Sequence, residues 1–574
     1  MIGRSSITAI NGLADRLARR LGLLSPAAIV ARGRNEAARK VGLGHLASLS
    51  RGGRRPMFSR ILVDGQWDNA NYWLRYGLFR NALGLENAVE VGILGQFNQK
   101  RCREAFAAFG VTNVVDFGLH AASAPRFLPQ AQALLSATHA ASDIHSWVLP
   151  GAMPPALIYD GILKRQRRGD VDLAHNDLPS VVAEALSAID LAVELLDRQR
   201  PDLVVLSHMI DFTYGSLAWA ASSRGIPVVA LYGDFGTNRF IRMLSPGDVF
   251  AYPARPELAD EIDLAETTLS SLVDAGNKTL GDRVGGNTSD ISAIYAFRRR
   301  DGHVDRDLLA QQFGWDPNVP VIAVYAPNWF DYPNGSGRFP FRDFRDWADV
   351  TLALARETPQ ANWLFKAHPC DEWYGTIHGA RLADLLATSP RPHVRLCETS
   401  WNGRSIIELS DGLITVHGTA GMEAPFLGTP VLLPYAGWYG PYGFAQFASD
   451  ADDYKRRLRT RWWESQDKVD IARRASAFAG WYLSAPEWHN GWFLADDSNQ
   501  DAIWWDLEAW LKQHAGAIER EISEIRGWIE DGHRYFQVYK LLQADGFVAA
   551  GPRSIVAHSN EDPRRLQLSG GAGK

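Results

Sequence analysis

LITVHGTAGMEAPFLGTPVLLPY, residues 413–435, runs from an apolar β-rich segment directly into a glycine-rich turn, then a short helical pattern, then a second apolar segment. Two apolar runs of strand length separated by a helix are the pattern of parallel strands joined by a crossover, buried on both faces. The same alternation continues upstream. NWLFKAHP (362–369) reads as a strand, residues 376–387 as a helix, 393–397 as a strand, 404–409 as a short helix, and DGLITVH (411–417) as the strand that feeds the turn. PVIAVYAP (320–327) and a helix over 344–357 open the series. Residues 319–450 are therefore predicted to form a Rossmann-like domain.

Residues 57–255 alternate in the same way, most clearly in a helix over 182–198, the strand PDLVVLS (201–207), a helix from Tyr214 to Arg224 closed by Gly225, and the strand IPVVALY (226–232). The predicted fold class is α/β, with two Rossmann-like domains facing a cleft. Around them lie a basic helical N-terminal segment (1–56), a charged interdomain connection (256–318), a helical C-terminal extension (451–560) and a disordered tail (561–574). A chain of 574 residues suits two cores better than one.

Composition narrows the class further. A hydrophobic share of 46% with 22% charged residues is that of a globular protein. No apolar run approaches the roughly 18 residues that span a bilayer, and the N-terminus lacks the apolar core of a secretory signal, which predicts a cytoplasmic protein. The net charge of −5 hides an asymmetry. Residues 1–60 carry many basic side chains, Arg16, Arg19, Arg20 and Arg39 among them, against only Asp15 and Glu36, giving about +10. Ile10, Leu13, Leu17, Leu21 and Leu24 recur there every three or four positions, as on an amphipathic helix lying peripherally on the anionic inner face of the cytoplasmic membrane; a poorly ordered basic tail is the alternative. Cys102, Cys370 and Cys397 fit neither a zinc spacing nor a disulfide framework, and neither metal nor cofactor is expected.

The chemistry gathers in the C-terminal half. Backbone N–H groups at a helix start lack intrahelical partners and point at the positive end of the dipole, so they can hold a phosphate without a cation. His417, Gly418, Thr419, Ala420 and Gly421 occupy that turn. Glu423, in the first turn of the helix, suits ribose hydroxyls, or simply the helix dipole. Phe365-Lys366-Ala367-His368-Pro369 places a lysine and a histidine at the carboxyl end of what reads as the strand neighbouring that turn, where open α/β sheets bind ligands. A histidine there can donate to a phosphate oxygen and stabilise a departing nucleotide.

The pairing of KAHP with VHGTAGMEAPFLGTPVLLP resembles the nucleotide-binding half of bacterial capsule and surface-polysaccharide glycosyltransferases of the GT-B fold, among which the Kdo and sialic acid transferases that use CMP-sugars carry a comparable His-Pro motif. The likeness is strong over about 120 residues, 310–435, and extends to the N-terminal half only in pattern. It implies a metal-independent transferase in which His368 and Pro369 contact donor phosphate, with Lys366, His417, the Gly418 to Gly421 turn and Glu423 around the nucleotide. It also implies a nucleotide-activated donor, CMP-linked as for Kdo, and an acceptor that is a growing cell-surface glycan or lipid-linked glycan.

In the resemblance the N-terminal domain supplies the acceptor side and any base. Residues 206–240 place His208 and Asp211 beyond one strand, Tyr214 in the following helix, and Asp234, Thr237 and Arg239 beyond the next strand. Asp211 is the first choice as base, with His208 the alternative, and Asp211 equally suits a helix cap. Residues 158–179 offer Lys164 and Arg168, with Tyr214 and Asp234, to an anionic acceptor, or else form a solvated helix face. Asp170-Val171-Asp172 resembles a metal-binding Asp-x-Asp but follows RQRRG instead of an apolar strand, and is set aside. AGWYGPYGF (436–444) either lines a sugar subsite or plugs the base of the C-terminal helices.

Several classes fall away. Ala420 stands where a nucleophile elbow needs serine. No Walker A lysine motif and no dinucleotide fingerprint follows a first strand. Basic charge is not interleaved with aromatics in a nucleic-acid module. Beside the transferase stand a polyol-phosphate transferase of the CDP-glycerol type, a UDP-sugar 2-epimerase, and a non-catalytic assembly or binding protein on the same fold.

Overall fold

The short runs rich in Val, Ile and Leu become strands buried along their whole length, LVVL and GLIT among them. A computed structural model describes residues 26–233, 238–251, 266–288, 293–298, 302–335, 337, 339–369, 371, 375–377, 380–483, 504–505 and 507–544. The apolar repeat from Ile10 to Leu24, Asp234, Thr237, Cys370 and the 561–574 tail lie outside the described residues.

The strands make two six-stranded sheets. The first holds β1 (Arg60–Gly65), β2 (Val89–Leu94), β3 (Asn113–Asp116), β4 (Leu203–Leu206), β5 (Val228–Ala230) and β6 (Ile241–Met243) in the order β3-β2-β1-β4-β5-β6. Every pairing in it is parallel except that of β6 with β5. The second holds β7 (Val321–Tyr325), β8 (Asn362–Lys366), β9 (Val394–Leu396), β10 (Gly412–Thr415), β11 (Val431–Leu433) and β12 (Gln446–Phe447), all parallel, in the order β12-β11-β10-β7-β8-β9. This is the two-Rossmann α/β architecture expected. In each sheet the order reverses beside the first strand, between β1 and β4 and between β7 and β10, and a crevice outside the carboxyl ends forms at such a point. One expectation is corrected: β8, which leads into His368, does not neighbour β10, because β7 lies between them.

Helices tie the sheets together. The stretch read as a connection contains the helix Glu266–Val284, which lies along Lys468–Tyr482. The two backbones approach closely because a Cβ on Gly276 or Gly480 would meet the carbonyl of Ser476 or Leu272. The chain then returns to the first domain, where Trp504, Leu507, Trp510, Ile522 and Trp528 join Trp73, Phe79 and Phe106 in one core. The helix Pro26–Leu49 docks on the same domain. Arg39, one of the basic residues of the N-terminal segment, is 2% exposed and pairs with Asp68 (3.0 Å) and Glu104 (3.2 Å), so its charge fastens the helix inward. Among the described residues no helix is long and apolar enough to cross a membrane.

The segment after β7 reaches across to the first domain. The Tyr159 hydroxyl donates to Asp343 (2.6 Å), the Asn334 amide donates to Asp160 (2.8 Å), and the Lys164 ammonium lies over the Phe330 and Tyr332 rings (5.3 and 5.2 Å).

Candidate functional site

The carboxyl ends of β7, β8 and β10 surround a pocket of about 820 Å³, counting its open mouth. Lys366, His368, Pro369, His417, Gly418, Thr419, Ala420 and Glu423 all line it, together with Tyr325 to Asn328 from the end of β7. Gly421 is not in the lining. Its N–H already donates to the Gly418 carbonyl (2.9 Å), and those of Met422 and Glu423 donate to Thr419 (2.9 and 3.2 Å). The N–H groups of Gly418, Thr419 and Ala420 have no acceptor among the described residues. Glycine at 421 is required for another reason: a Cβ there would collide with the Tyr439 hydroxyl, which donates to the Gly418 carbonyl (2.8 Å). Trp438 donates its indole N–H to the His417 carbonyl (2.9 Å), and Trp438, Tyr439 and Phe444 are buried against Phe478. Of the two readings of AGWYGPYGF, the plug holds for these three rings, and it braces the turn from behind.

Lys366 is 4% exposed, and its ammonium lies 4.7 Å from the centre of the Tyr325 ring. His417 places Nδ1 2.8 Å from the Tyr435 hydroxyl, and burial pushes its pKa down to about 4, which leaves the ring neutral at ordinary pH. Glu423 lines the pocket from the first turn of its helix and has a partner that neither of its readings included. Its Oε1 accepts from Nε (3.2 Å) and Nη2 (2.7 Å) of Arg283, with both side chains 4% exposed, so a matched buried pair underlies the pocket. Sequence reasoning missed Arg283, 140 residues away. It also missed Asp371, whose N–H donates to the His368 carbonyl (3.1 Å) and whose carboxyl burial raises to about 7 against the pull of Arg381 and Lys366. The available signal was an acidic residue three positions beyond His368.

The predicted acceptor residues lie elsewhere: none of His208, Asp211, Tyr214, Lys164 and Arg168 is in the pocket lining. His208 follows β4 at the first sheet's reversal, edge-on to Trp67 (4.8 Å) and beside Tyr214 (5.3 Å) and Tyr232 (5.8 Å). Asp211 is buried with φ 46°, and its Oδ1 accepts the Thr213 N–H (2.6 Å) at the start of the helix Asp211–Ser222, the capping role that was its alternative. Burial raises its carboxyl to about 6. Lys164 occupies the domain seam. Arg168 pairs with Asp170 (3.3 Å) and Asp172 (3.7 Å), which accounts for the Asp-x-Asp as an arginine-paired turn. Among the described residues no group of three or more His, Cys, Asp or Glu is placed to hold a metal ion.

No protein-family model and no curated protein matches the chain. Among solved structures, UDP-GlcNAc 2-epimerase from Neisseria meningitidis, bound to UDP-GlcNAc, is similar at 13% identity over 79% of this chain and 99% of that one, with a TM-score of 0.25. KpsC, a beta Kdo 2,4 transferase from Thermosulfurimonas dismutans, is similar at 18% over 48% and 78%, with 0.27. The glycotransferase of kitacinnamycin is similar at 12% over 82% and 98%, with 0.22. TM-scores this low carry nothing beyond the sheet orders described above.

Proposed function

We propose that the protein is a metal-independent glycosyltransferase of the GT-B type that binds a nucleotide-activated sugar in the pocket at the ends of β7, β8 and β10. The observation that carries the reading is the convergence on one open pocket of a buried lysine, the His368-Pro369 pair and the N–H groups of the 418–420 turn. These groups suit a phosphate whose negative charge grows as the glycosidic bond breaks: His368 donates to it, Lys366 supplies positive charge, and the turn donors are already oriented. The acceptor glycan lies against the first domain, and closure of the seam excludes water. A CMP-linked donor such as Kdo, a cell-surface polysaccharide or glycolipid acceptor, and contact of the basic segment 1–56 with an anionic membrane belong to the same proposal. They rest on the KAHP and HGTAG resemblance and on the basic composition.

A thermal-shift screen against CMP, CDP, UDP and GDP, with and without EDTA, tests it. CMP at a hundred times its Kd should stabilise the native state by about 2.7 kcal/mol, independently of EDTA, and His368→Ala should abolish most of that gain. A response to CDP alone would favour polyol-phosphate transfer. A response to UDP would favour an epimerase or a UDP-sugar enzyme, and silence with every nucleotide a non-catalytic protein.

A further inference from the structure

At the reversal of the first sheet, residues from two neighbouring strands form a chain of hydrogen bonds. Asp64 on β1 is fully buried. Its Oδ1 accepts the Gln66 N–H (2.8 Å), and its Oδ2 accepts both the Ser207 N–H (2.9 Å) and, at short range, the Ser207 hydroxyl. Ser207 Oγ lies 3.0 Å from His208 Nδ1. A carboxylate offers only acceptors and a serine hydroxyl has one proton. Burial raises the Asp64 pKa, against hydrogen bonds from Ser207 and Gln66 that favour its charged form; with Asp64 ionised the hydroxyl proton lies toward it, so Ser207 Oγ accepts from His208 Nδ1–H and the free lone pair of the imidazole falls on Nε2. The ring is part-buried and its plane is held by Trp67, Tyr214 and Tyr232.

From this geometry we infer that His208 Nε2 is the base that removes the proton of the acceptor hydroxyl, and that Ser207 and Asp64 are positioning residues that fix its tautomer. The inference rests on the transferase reading and chooses His208 over Asp211, whose Oδ1 already accepts the Thr213 N–H. In the step, the acceptor O–H bond breaks and its proton goes to Nε2. The oxygen bonds to the anomeric carbon, and that carbon's bond to the nucleotide phosphate oxygen breaks, the electron pair leaving with the nucleotide. The new imidazolium then faces Asp64 through Ser207. Arg75, whose guanidinium donates to the Leu231 and Gly233 carbonyls (2.9 and 3.1 Å), opposes that charge, and burial raises the Tyr214 phenol well above its ordinary pKa. Burial, with Arg75, pushes the His208 pKa down to about 3, so the resting ring is unprotonated, while the same burial weakens it as a base and makes the link to Asp64 through Ser207 the feature that favours the imidazolium. Two and three residues beyond His208, Ile210 and Asp211 meet the seam shared with the donor pocket. Gly335 approaches Ile210, Tyr332 hydrogen-bonds Asp211, and Asp331 of the same segment lines the pocket.

The test begins without substrate. Full-length protein carrying ring-¹⁵N histidine, with His208→Gln to identify the resonances, should show a protonated Nδ1 and an unprotonated Nε2 near neutral pH. Ser207→Ala should convert this to a tautomer mixture, and Ser207→Thr should restore it. The opposite tautomer, an imidazolium, or a Ser207→Ala spectrum identical to wild type would overturn the relay. In CMP release from CMP-Kdo, Ser207→Ala should lower kcat about 10- to 100-fold with CMP affinity retained, and should move the acid limb of kcat/KM to lower pH because the imidazolium loses its link to Asp64. An unchanged pH profile would overturn the base role. A wild-type chain that binds none of the nucleotides would overturn the transferase reading and the base role together; the tautomer measurement separates that failure from failure of the relay.

Discussion

The two strand-end sites of this molecule are built in opposite ways. At the second sheet, the pocket takes much of its lining from contiguous pieces of chain, 366–369 and 417–420, and the donors proposed to hold phosphate are backbone groups that a glycine-rich turn leaves unpaired. At the first sheet, the proposed relay is made of side chains, and its first pair, Asp64 and Ser207, is separated by 143 residues. A phosphate site made of backbone can be written into a short motif. A proton-handling site needs a carboxylate, a hydroxyl and an imidazole in line, and two neighbouring strands can provide that only once the sheet order is set. Both sites share one feature: each hides its carboxylate, Glu423 against Arg283 and Asp64 beneath Ser207.

The contrast can be broken most forcefully at Glu423. Glu423→Ala leaves the Arg283 guanidinium buried without its counter-charge and should cost about 3–5 kcal/mol in urea denaturation, with nucleotide binding lost as the turn loosens. A loss under about 1 kcal/mol would show that the donor site is held by its contiguous turn alone. A smaller effect lies in the seam between the sites. Burial raises the Asp160 carboxyl from 3.8 to about 8 and that of Asp211 to about 6, so the native state holds protons that the unfolded chain has released. The resulting stabilisation is complete below pH 3.8 and is lost as pH rises through about 8. The transition temperature should therefore fall across that window, most steeply below about pH 6 where both groups contribute, and Asp160→Asn should flatten the remaining fall between about 6 and 8; an unchanged slope there would remove Asp160 from the seam's pH response. The smallest effect belongs to Arg168, whose pairs with Asp170 and Asp172 are part-exposed. Arg168→Ala should change stability by less than about 1 kcal/mol, and a larger loss would mean that the first domain relies on its surface ion pairs as the second relies on a buried one.

Much of the second domain was legible because its signals are local. The helix predicted over 344–357 is Phe344–Glu357, and the strands at 320–327, 362–369 and 411–417 start within a residue of the expected position and end two or three residues early. The turn at 417–421 was readable from its glycines, but the fate of each N–H was not, since Gly421 is committed by the local fold of the turn and by Tyr439. The placement of β7 between β8 and β10 could not be read either, because strand order depends on which side of the first strand a crossover returns. Nor could the return of Trp504 to Trp528 to the first domain, where amphipathic helices carry no mark of which sheet they cover.

By itself the sequence determined the two α/β halves, the strand ends at which chemistry is concentrated, and the glycine turn, since these follow from apolar periodicity and from the conformations glycine permits within a few residues. Only the tertiary structure decided that Glu423 faces Arg283, that Lys164 spans the seam, and that Asp64 fixes Ser207 and through it His208. Each of those depends on burial and on the meeting of groups far apart in the chain. Both are properties of the packed molecule, because a side chain's ionisation and hydrogen-bond partners are set by its neighbours in space.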